Sequence, residues 1–439
     1  MDHNGLGEYM GNDYDGEFYR DIYPYYDVPR IGRINNGGFA ENLSKIYITD
    51  TTLRDGQQGW RVFTVEECEK IYELLSDMGK AIRSTEAFLY TDKDKEVVKR
   101  LISYGYEYPK VIGWIRATHS DLQLVLDTRL DEAVILASIS DYHIKYKFNS
   151  PRDVVLSKYL EVIEKALKNG VIPRVSLEDI TRADVERVAV PFVMKLIELS
   201  DKYRIPVKIK LPDTLGVGLP FYEVPLPRSI PRIVEAFRRL GINQENIEFH
   251  AHNDLGLAVA NQLAAWFYGA AAANCTLFGI GERAGNCPLE VMAVHYAGIK
   301  GSNDINLKAL SRIPDILEKM GYKLVEHYPI IGRNAFRTKA GIHVDGLMKN
   351  PEVYLPFDPI RVLGRPYSVA ITPYSGRSAV VLWIKNYLGY DGINKEDPRV
   401  VAVYNEIVNY FNRTNRVEPL TDEEITNFVK KYFPELFKK

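Results

Sequence analysis

The sequence predicts an α/β chain built on a (β/α)8 TIM barrel, with an N-terminal extension and a smaller, mostly helical C-terminal subdomain. Three observations carry this expectation. From Lys45 onward, short β-rich segments alternate with amphipathic helical ones, the mark of a parallel βα repeat. Eight such units fit into about 250 residues, the span of a closed barrel. No Gly-x-Gly-x-x-Gly turn follows the first strand, which removes the main support for an open dinucleotide-binding sheet. The expected boundaries are 1–43 for the extension, 44–303 for the barrel and 304–439 for the C-terminal subdomain.

The extension is polar and rich in Gly and Tyr (Tyr9, Tyr14, Tyr19, Tyr23, Tyr25, Tyr26). It reads equally as a loosely ordered tail or as a packed arm across a partner subunit. Strands are expected near Lys45–Thr49, Ala81–Thr85, Val111–Ile115, Ala133–Ala137, Arg174–Leu177, Val207–Leu211, Ile247–His252 and Asn274–Phe278. Helical stretches between them include Val65–Met78, Arg152–Lys168, Val185–Lys202 and Pro231–Leu240. Beyond about Asp304 the alternation stops. A helical segment and the run from Arg333 to Gly346 lead into the tail.

Composition excludes several classes of function. Charged residues make up 26% and the formal net charge is −2, so no broad field favours nucleic acid or anionic membrane. Apolar runs are strand-sized, well short of a transmembrane helix, and the N-terminus lacks the basic and apolar regions of a signal peptide. Cys68, Cys275 and Cys287 are widely scattered and odd in number, which suits a reducing cytoplasm rather than a disulfide framework.

In such barrels the chemistry sits at the C-terminal ends of the strands, and polar residues cluster there. His250 and His252, two residues apart on the seventh strand, project from one face and can grip one metal ion. Asp50–Gln58, at the end of the first strand, adds the carboxylate of Asp55 beside the guanidinium of Arg54. Two histidines and a carboxylate with open positions suit a divalent metal (Mn, Mg, Zn or Co) that must also hold a substrate. A metal so held acts as a Lewis acid toward a chelating 2-oxo acid. Arg54 reads either as a donor to the oxygen that gains charge or as an ordinary ion pair with Asp55. His143 follows the fourth strand, Ser176 and Glu178 lie at the fifth, Thr214 follows the sixth, and Gly279–Asn286 follows the eighth. Taken alone, Glu178 reads as a solvated helix start, Gly279–Asn286 as a turn or a ligand approach, and His343 as a loop histidine.

Together these stretches resemble the acetyl-CoA-dependent 2-oxo acid condensing enzymes: the 2-isopropylmalate, homocitrate, citramalate and Re-type citrate synthases. The matching stretches are Asp50–Gln58, Ser176–Asp184, Leu211–Gly216, His250–Asp254, Gly279–Asn286, Ala340–Gly346 and Tyr354–Pro359. The resemblance implies metal ligation by Asp55, His250 and His252, with Asn286 close to the metal. It implies 2-oxo acid binding by Arg54, His143, Ser176 and Thr214, with Glu282 and Arg283 as synthase features at the substrate. Glu178 matches an acidic residue at the reacting centre. His343 and Tyr354 match residues that reach a neighbouring subunit's site, His343 being linked to proton transfer. The implied protein is at least a homodimer that condenses acetyl-CoA, as substrate, with a 2-oxo acid.

Departures bear on the acceptor. The family's Asp-Gly-Glu-Gln reads Asp55-Gly-Gln-Gln58 here, and Ile144 stands where homocitrate-type enzymes place an Arg. The insert Gly216–Pro231, with Thr51–Gln58, Phe88–Lys93, Ser140–His143 and Arg365–Ile371, is most similar to the Re-type citrate branch, whose acceptor is oxaloacetate. Asn253-Asp-Leu-Gly-Leu257 is what isopropylmalate synthases carry, so 2-oxoisovalerate ranks second and homocitrate formation third. A hydroxymethylglutaryl-CoA-type lyase, with Cys287 in its loop, and a non-catalytic CoA or oxo-acid binder are the rival readings.

Overall fold

The computed structural model describes residues 19–31 and 38–438. Their contacts define two compact units. One lies within Ile34–Gly332; the other joins the described residues before Arg33 to those of Arg333–Lys439. The boundary expected at residue 303 therefore falls inside the first unit. The reason is local: the Ala81 amide donates to the Asp304 carbonyl (3.1 Å) and the Asn306 amide to the Met78 carbonyl (2.8 Å), tying the chain beyond 303 back onto the barrel.

In the first unit eight parallel strands close on themselves in sequence order, the eighth pairing with the first. They are β1 (Tyr47–Asp50), β2 (Ile82–Ala87), β3 (Lys110–Arg116), β4 (Glu132–Ser138), β5 (Ile172–Glu178), β6 (Lys208–Asp213), β7 (Ile247–Ala251) and β8 (Ala272–Cys275). The helices that follow them are α1 (Val65–Asp77), α2 (Asp92–Ser103), α3 (His119–Thr128), α4 (Arg152–Lys168), α5 (Val190–Tyr203), α6 (Ile230–Arg238), α7 (Ala258–Phe267) and α8 (Leu289–Lys300). Their starts are written in the sequence. Thr64 and Glu67 form a reciprocal capping box at α1, as do Thr91 and Asp94 at α2, satisfying amide donors that a helix start leaves open. Pro191 lets α5 begin one turn later than expected, after a π turn at Val185–Ala189.

The eighth strand departs from expectation. It ends at Cys275 because the Thr276 amide leaves the ladder for the Cys287 carbonyl (3.1 Å), and Phe278 then turns through a left-handed φ of 57°. Outside the sheet, large apolar side chains such as Trp266, Phe237 and Phe249 fill the layer beneath the helices. Inside, the barrel holds charge. Lys210 on β6 ion-pairs with Glu86 on β2 and reaches Glu248 on β7 (3.2 Å); Arg174 on β5 joins Glu248 to Glu132 on β4, and Glu132 also holds Lys208. A strand repeats every two residues. The face of β7 that presents Glu248 to this network therefore presents His250 one step nearer the C-terminal rim.

In the second unit β9 (Arg337–Thr338) pairs in parallel with β10 (Ser368–Val369), and α9 (Gly341–Lys349), α10 (Gly376–Leu388), α11 (Pro398–Thr414) and α12 (Asp422–Tyr432) make it mostly helical. Of the N-terminal tyrosines, Tyr9 and Tyr14 lie outside the described residues. Tyr25 accepts the Asp358 amide through its carbonyl (2.7 Å), the Arg361 guanidinium lies over the Tyr26 ring, and Arg20 pairs with Glu352. This stretch is thus packed on the chain's own C-terminal residues. Among the described residues, no helix is long and apolar enough to cross a membrane.

Candidate metal centre and active site

Asp55, His250 and His252 meet at the C-terminal rim of the barrel. One ligand atom from each lies within 4.8 Å of the others. His250 Nε2 is 3.4 Å from Asp55 Oδ2, His252 Nε2 is 3.9 Å from it, and the two Nε2 atoms are 3.1 Å apart. The tautomer of His250 follows from its neighbour. Asn274 Oδ1 accepts from Lys210 Nζ (3.0 Å), while Asn274 Nδ2 donates to Thr49 and Glu86, so Oδ1 is an acceptor and His250 Nδ1, 2.6 Å away, carries the proton. His250 Nε2 is then a bare lone pair aimed at the cluster. Burial, with Lys210 and His252 beside it, holds the His250 pKa well below the ordinary imidazole value, and burial lowers that of His252. Burial pushes the Asp55 carboxyl up, but Arg54, His250 and His252 outweigh it and keep Asp55 ionised. Neutral imidazoles and a carboxylate are the state a divalent cation requires, so the three side chains fit the chemistry of a candidate metal site.

Arg54 and Asp55 are adjacent yet both turn inward because β1 runs into a π turn at Thr52–Gly56, a distortion frequent at functional sites. Arg54 pairs with Asp55 Oδ1 (2.7 Å) and with Glu86 Oε2 (3.1 Å), touches Gln58 Oε1 (3.2 Å), and its Cζ lies 5.2 Å from the Trp114 ring centroid. The ion pair with Asp55 therefore exists alongside a built holder for the guanidinium. Glu86 is fully buried; burial raises its pKa, but Lys210 and Arg54 bring it down to about 2. Gln58 and Trp114 also line a cleft of about 880 Å³ with Phe88, Tyr90, Lys93 and Arg116, which gives the rim an apolar, partly cationic approach beside Arg54.

Asn286 reaches the centre through the loop after β8. The loop lays a short antiparallel bridge beside His252, and the Cys287 amide donates to the Ala251 carbonyl (3.0 Å). Asn286 Nδ2 donates to Asp55 Oδ2 (2.6 Å), while its Oδ1 is buried without a hydrogen-bond partner. The glycines make this possible. A Cβ on Gly281 would lie 2.6 Å from Asn286 Oδ1, and one on Gly285, at φ +90°, would lie 2.2 Å from the Gly279 carbonyl oxygen. Arg283 closes the loop against β7, gripping Asp254 (2.8 and 3.1 Å) and the Thr214 carbonyl, while Glu282 is exposed. Cys287 is buried beside Cys275.

The rim of β4, β5 and β6 carries a second group. Glu178 Oε2 meets Lys147 Nζ (2.8 Å), His143 Nδ1 (3.1 Å) and the Ser138 hydroxyl. Burial raises its pKa, but His143 and Lys147 outweigh that and lower it to about 2. Far from a solvated helix start, it is a held carboxylate. His143 also lies 3.7 Å from Asp179 Oδ2, and Asp179, at φ 68°, donates its amide to Thr214 Oγ1 (2.9 Å). Ser176 is buried on the same face of β5 as Arg174 and Glu178. Within the second unit the rings of His343 and Tyr354 lie 4.4 Å apart. Sequence reading missed Glu86, Asn274 and Lys147; the first two sit mid-strand, where a lone polar residue carries no spacing signal.

The chain matches the HMGL-like family over residues 45–317 and the homocitrate synthase post-HMGL domain-like family over residues 330–414. It is 40% identical over 440 residues to a citrate (Re)-synthase of Clostridium kluyveri, covering 98% of this chain and 97% of that protein. It is 34% identical to a 2-phosphinomethylmalate synthase of Streptomyces hygroscopicus (96% and 98% covered) and 31% identical to a 2-isopropylmalate synthase of Sulfolobus acidocaldarius (86% and 94% covered). The solved HMG-CoA lyase of Bacillus subtilis shares the fold, at a TM-score of 0.52 and 22% identity over 64% of this chain and 95% of that one. The chain belongs to the HMGL-like family and, within it, to the acyltransferase branch that these synthases represent.

Proposed function

We propose that the chain condenses acetyl-CoA with oxaloacetate, as a Re-type citrate synthase does. The observation that carries this reading is the 40% identity to the Clostridium kluyveri citrate (Re)-synthase over nearly both whole chains. The metal site supports the reaction class. A divalent cation held by Asp55, His250 and His252, with Asn286 beside it, would supply Lewis acidity toward a chelating 2-oxo acid; the two imidazoles favour Mn, Co or Zn over Mg. Arg54, held beside Asp55 by Glu86 and Trp114, is the residue assigned to donate to the acceptor's keto oxygen as it gains charge, a contribution typically worth ~10²–10³ in rate. His143, Ser176 and Thr214 are the residues of the rim assigned to hold the acceptor, and Glu282 and Arg283 close it on the β8 side.

In the reaction a base takes a proton from the acetyl methyl, the resulting enolate forms the new C–C bond to the keto carbon, and the alkoxide takes up a proton. Water then cleaves the thioester, giving the acid and free CoA thiol. Glu178, ionised at neutral pH, orients His143 and is a proton acceptor rather than a donor. His343 and Tyr354 are assigned to the site of a second copy, His343 to proton transfer there, so the working form is at least a homodimer. Three free, buried cysteines fit a cytoplasmic setting.

One stretch favours a second acceptor: Asn253–Leu257 matches isopropylmalate synthases, whose acceptor is 2-oxoisovalerate. Turnover of metal-loaded protein with each acceptor in turn separates the two. Preference for oxaloacetate upholds the reading, and preference for 2-oxoisovalerate overturns it.

A further inference from the structure

Two stretches of the second unit, Arg333–Lys339 and Arg365–Ile371, take no part in the proposed chemistry. The β9–β10 pair brings them together, Arg337 standing in register with Ser368. They line one cavity of about 360 Å³, within the range of small-ligand pockets. Arg333, Arg337 and Arg365 converge on it from three points of the chain, and Asp422 is the one carboxylate among its lining residues. Asp422 is already engaged, accepting from the indole Nε1 of Trp383 (2.8 Å). Arg337 Nε is buried and without a hydrogen-bond partner, a group that costs free energy until an acceptor reaches it. Burial also pushes the Arg365 pKa down, a direction that a bound anion would reverse.

The lining also includes aromatic rings. Trp383 and Tyr387, one turn apart on α10, stack at 4.5 Å with their planes 20° apart. Guanidinium forks match phosphate oxygens in planar, bidentate fashion, and a stacked aromatic wall accepts the flat face of a base. We propose that this cavity binds a nucleoside phosphate, the guanidinium groups taking the phosphate and the Trp383–Tyr387 wall the base. The site lies wholly within the second unit and does not depend on the reaction assigned above.

The test is calorimetric titration of the full-length protein, without acetyl-CoA, with ADP, AMP, adenosine and inorganic phosphate, repeated on Arg337→Gln, Arg365→Gln and Trp383→Phe. ADP is expected to bind saturably and adenosine to bind far more weakly. Either arginine variant should weaken ADP by about tenfold or more, the scale of a lost charged hydrogen bond, with acetyl-CoA turnover unchanged. Trp383→Phe should weaken ADP and leave inorganic phosphate unaffected. Circular dichroism and melting temperature identify any variant that fails to fold, and the second arginine variant then carries the test. No saturable binding of ADP, ADP binding equal in the wild type and both arginine variants, or phosphate binding as tightly as ADP would overturn the proposal.

Discussion

Arg54 and His250 are each held in place by a buried neighbour, Glu86 for the guanidinium and Asn274 for the imidazole. Asn274 fixes the His250 tautomer, and ligand affinity at metal sites typically falls ~10–100-fold when such a support is lost. Asn274→Ala should weaken divalent metal binding by about that factor, read by chelator competition, with the barrel intact by circular dichroism. Glu86 neutralises Lys210 and holds Arg54, so Glu86→Gln leaves a buried charge uncompensated. It should cost roughly 3–5 kcal/mol of stability, read from the urea midpoint. Glu178 has a definite pH signature. Its pKa of about 2 lies below the ordinary 4.5, so its contribution to stability is present above about pH 4.5 and is lost as pH falls toward 2. The stability gap between wild type and Glu178→Gln should therefore shrink below pH 4.5; a gap constant from pH 7 to 3 would contradict the assigned ion pairs. His250, His252 and Asp55 were legible in the sequence because strand spacing and adjacency to Arg54 are local signals. Glu86, Asn274 and Lys210 were not, because their meaning arises only when strands far apart in sequence face each other across the barrel.

At the scale of elements, the loop after β8 carries the most specific expectations. Its glycines read ambiguously in the sequence. The structure explains both aspects, since the turn they permit is what brings Asn286 against Asp55. Gly285→Ala combines a left-handed φ with a blocked approach, and should weaken metal binding while leaving the helices of the barrel formed. Behind the loop, Glu290 Oε2 accepts the Phe278 amide (3.0 Å) and Oε1 is buried without a partner. Burial raises its pKa from 4.5 to about 7. The folded protein therefore prefers the protonated acid, and a penalty grows as pH rises from about 4.5 to 7, reaching about 3 kcal/mol at 1.36 kcal/mol per pKa unit. Glu290→Gln should match wild-type stability near pH 4 and exceed it at pH 8; equal melting temperatures at both would count against a buried ionisable carboxyl here. The eighth strand was misplaced in the sequence reading by a tertiary hydrogen bond, Thr276 to Cys287, that periodicity does not reveal. The other seven strands stood out as short β-rich runs between amphipathic helical stretches, as expected of strands buried on both faces of a parallel barrel.

The whole molecule is an HMGL-like barrel followed by a separate, mostly helical unit bearing His343 and Tyr354. If that unit completes the site of a second copy, inactive Asp55→Ala and inactive His343→Ala proteins mixed after co-refolding should regain activity. Random pairing makes half the dimers mixed, each with one intact site, which gives about one quarter of the wild-type rate. Recovery of no activity would place each site within one chain. The acceptor is the central claim, and free-thiol release from acetyl-CoA by metal-loaded protein tests it most directly. Oxaloacetate, 2-oxoisovalerate, 2-oxoglutarate and pyruvate are offered one at a time. The proposed function predicts a clear preference for oxaloacetate, abolished in Asp55→Ala. Preference for any of the other three, or release that persists in Asp55→Ala, would contradict the account.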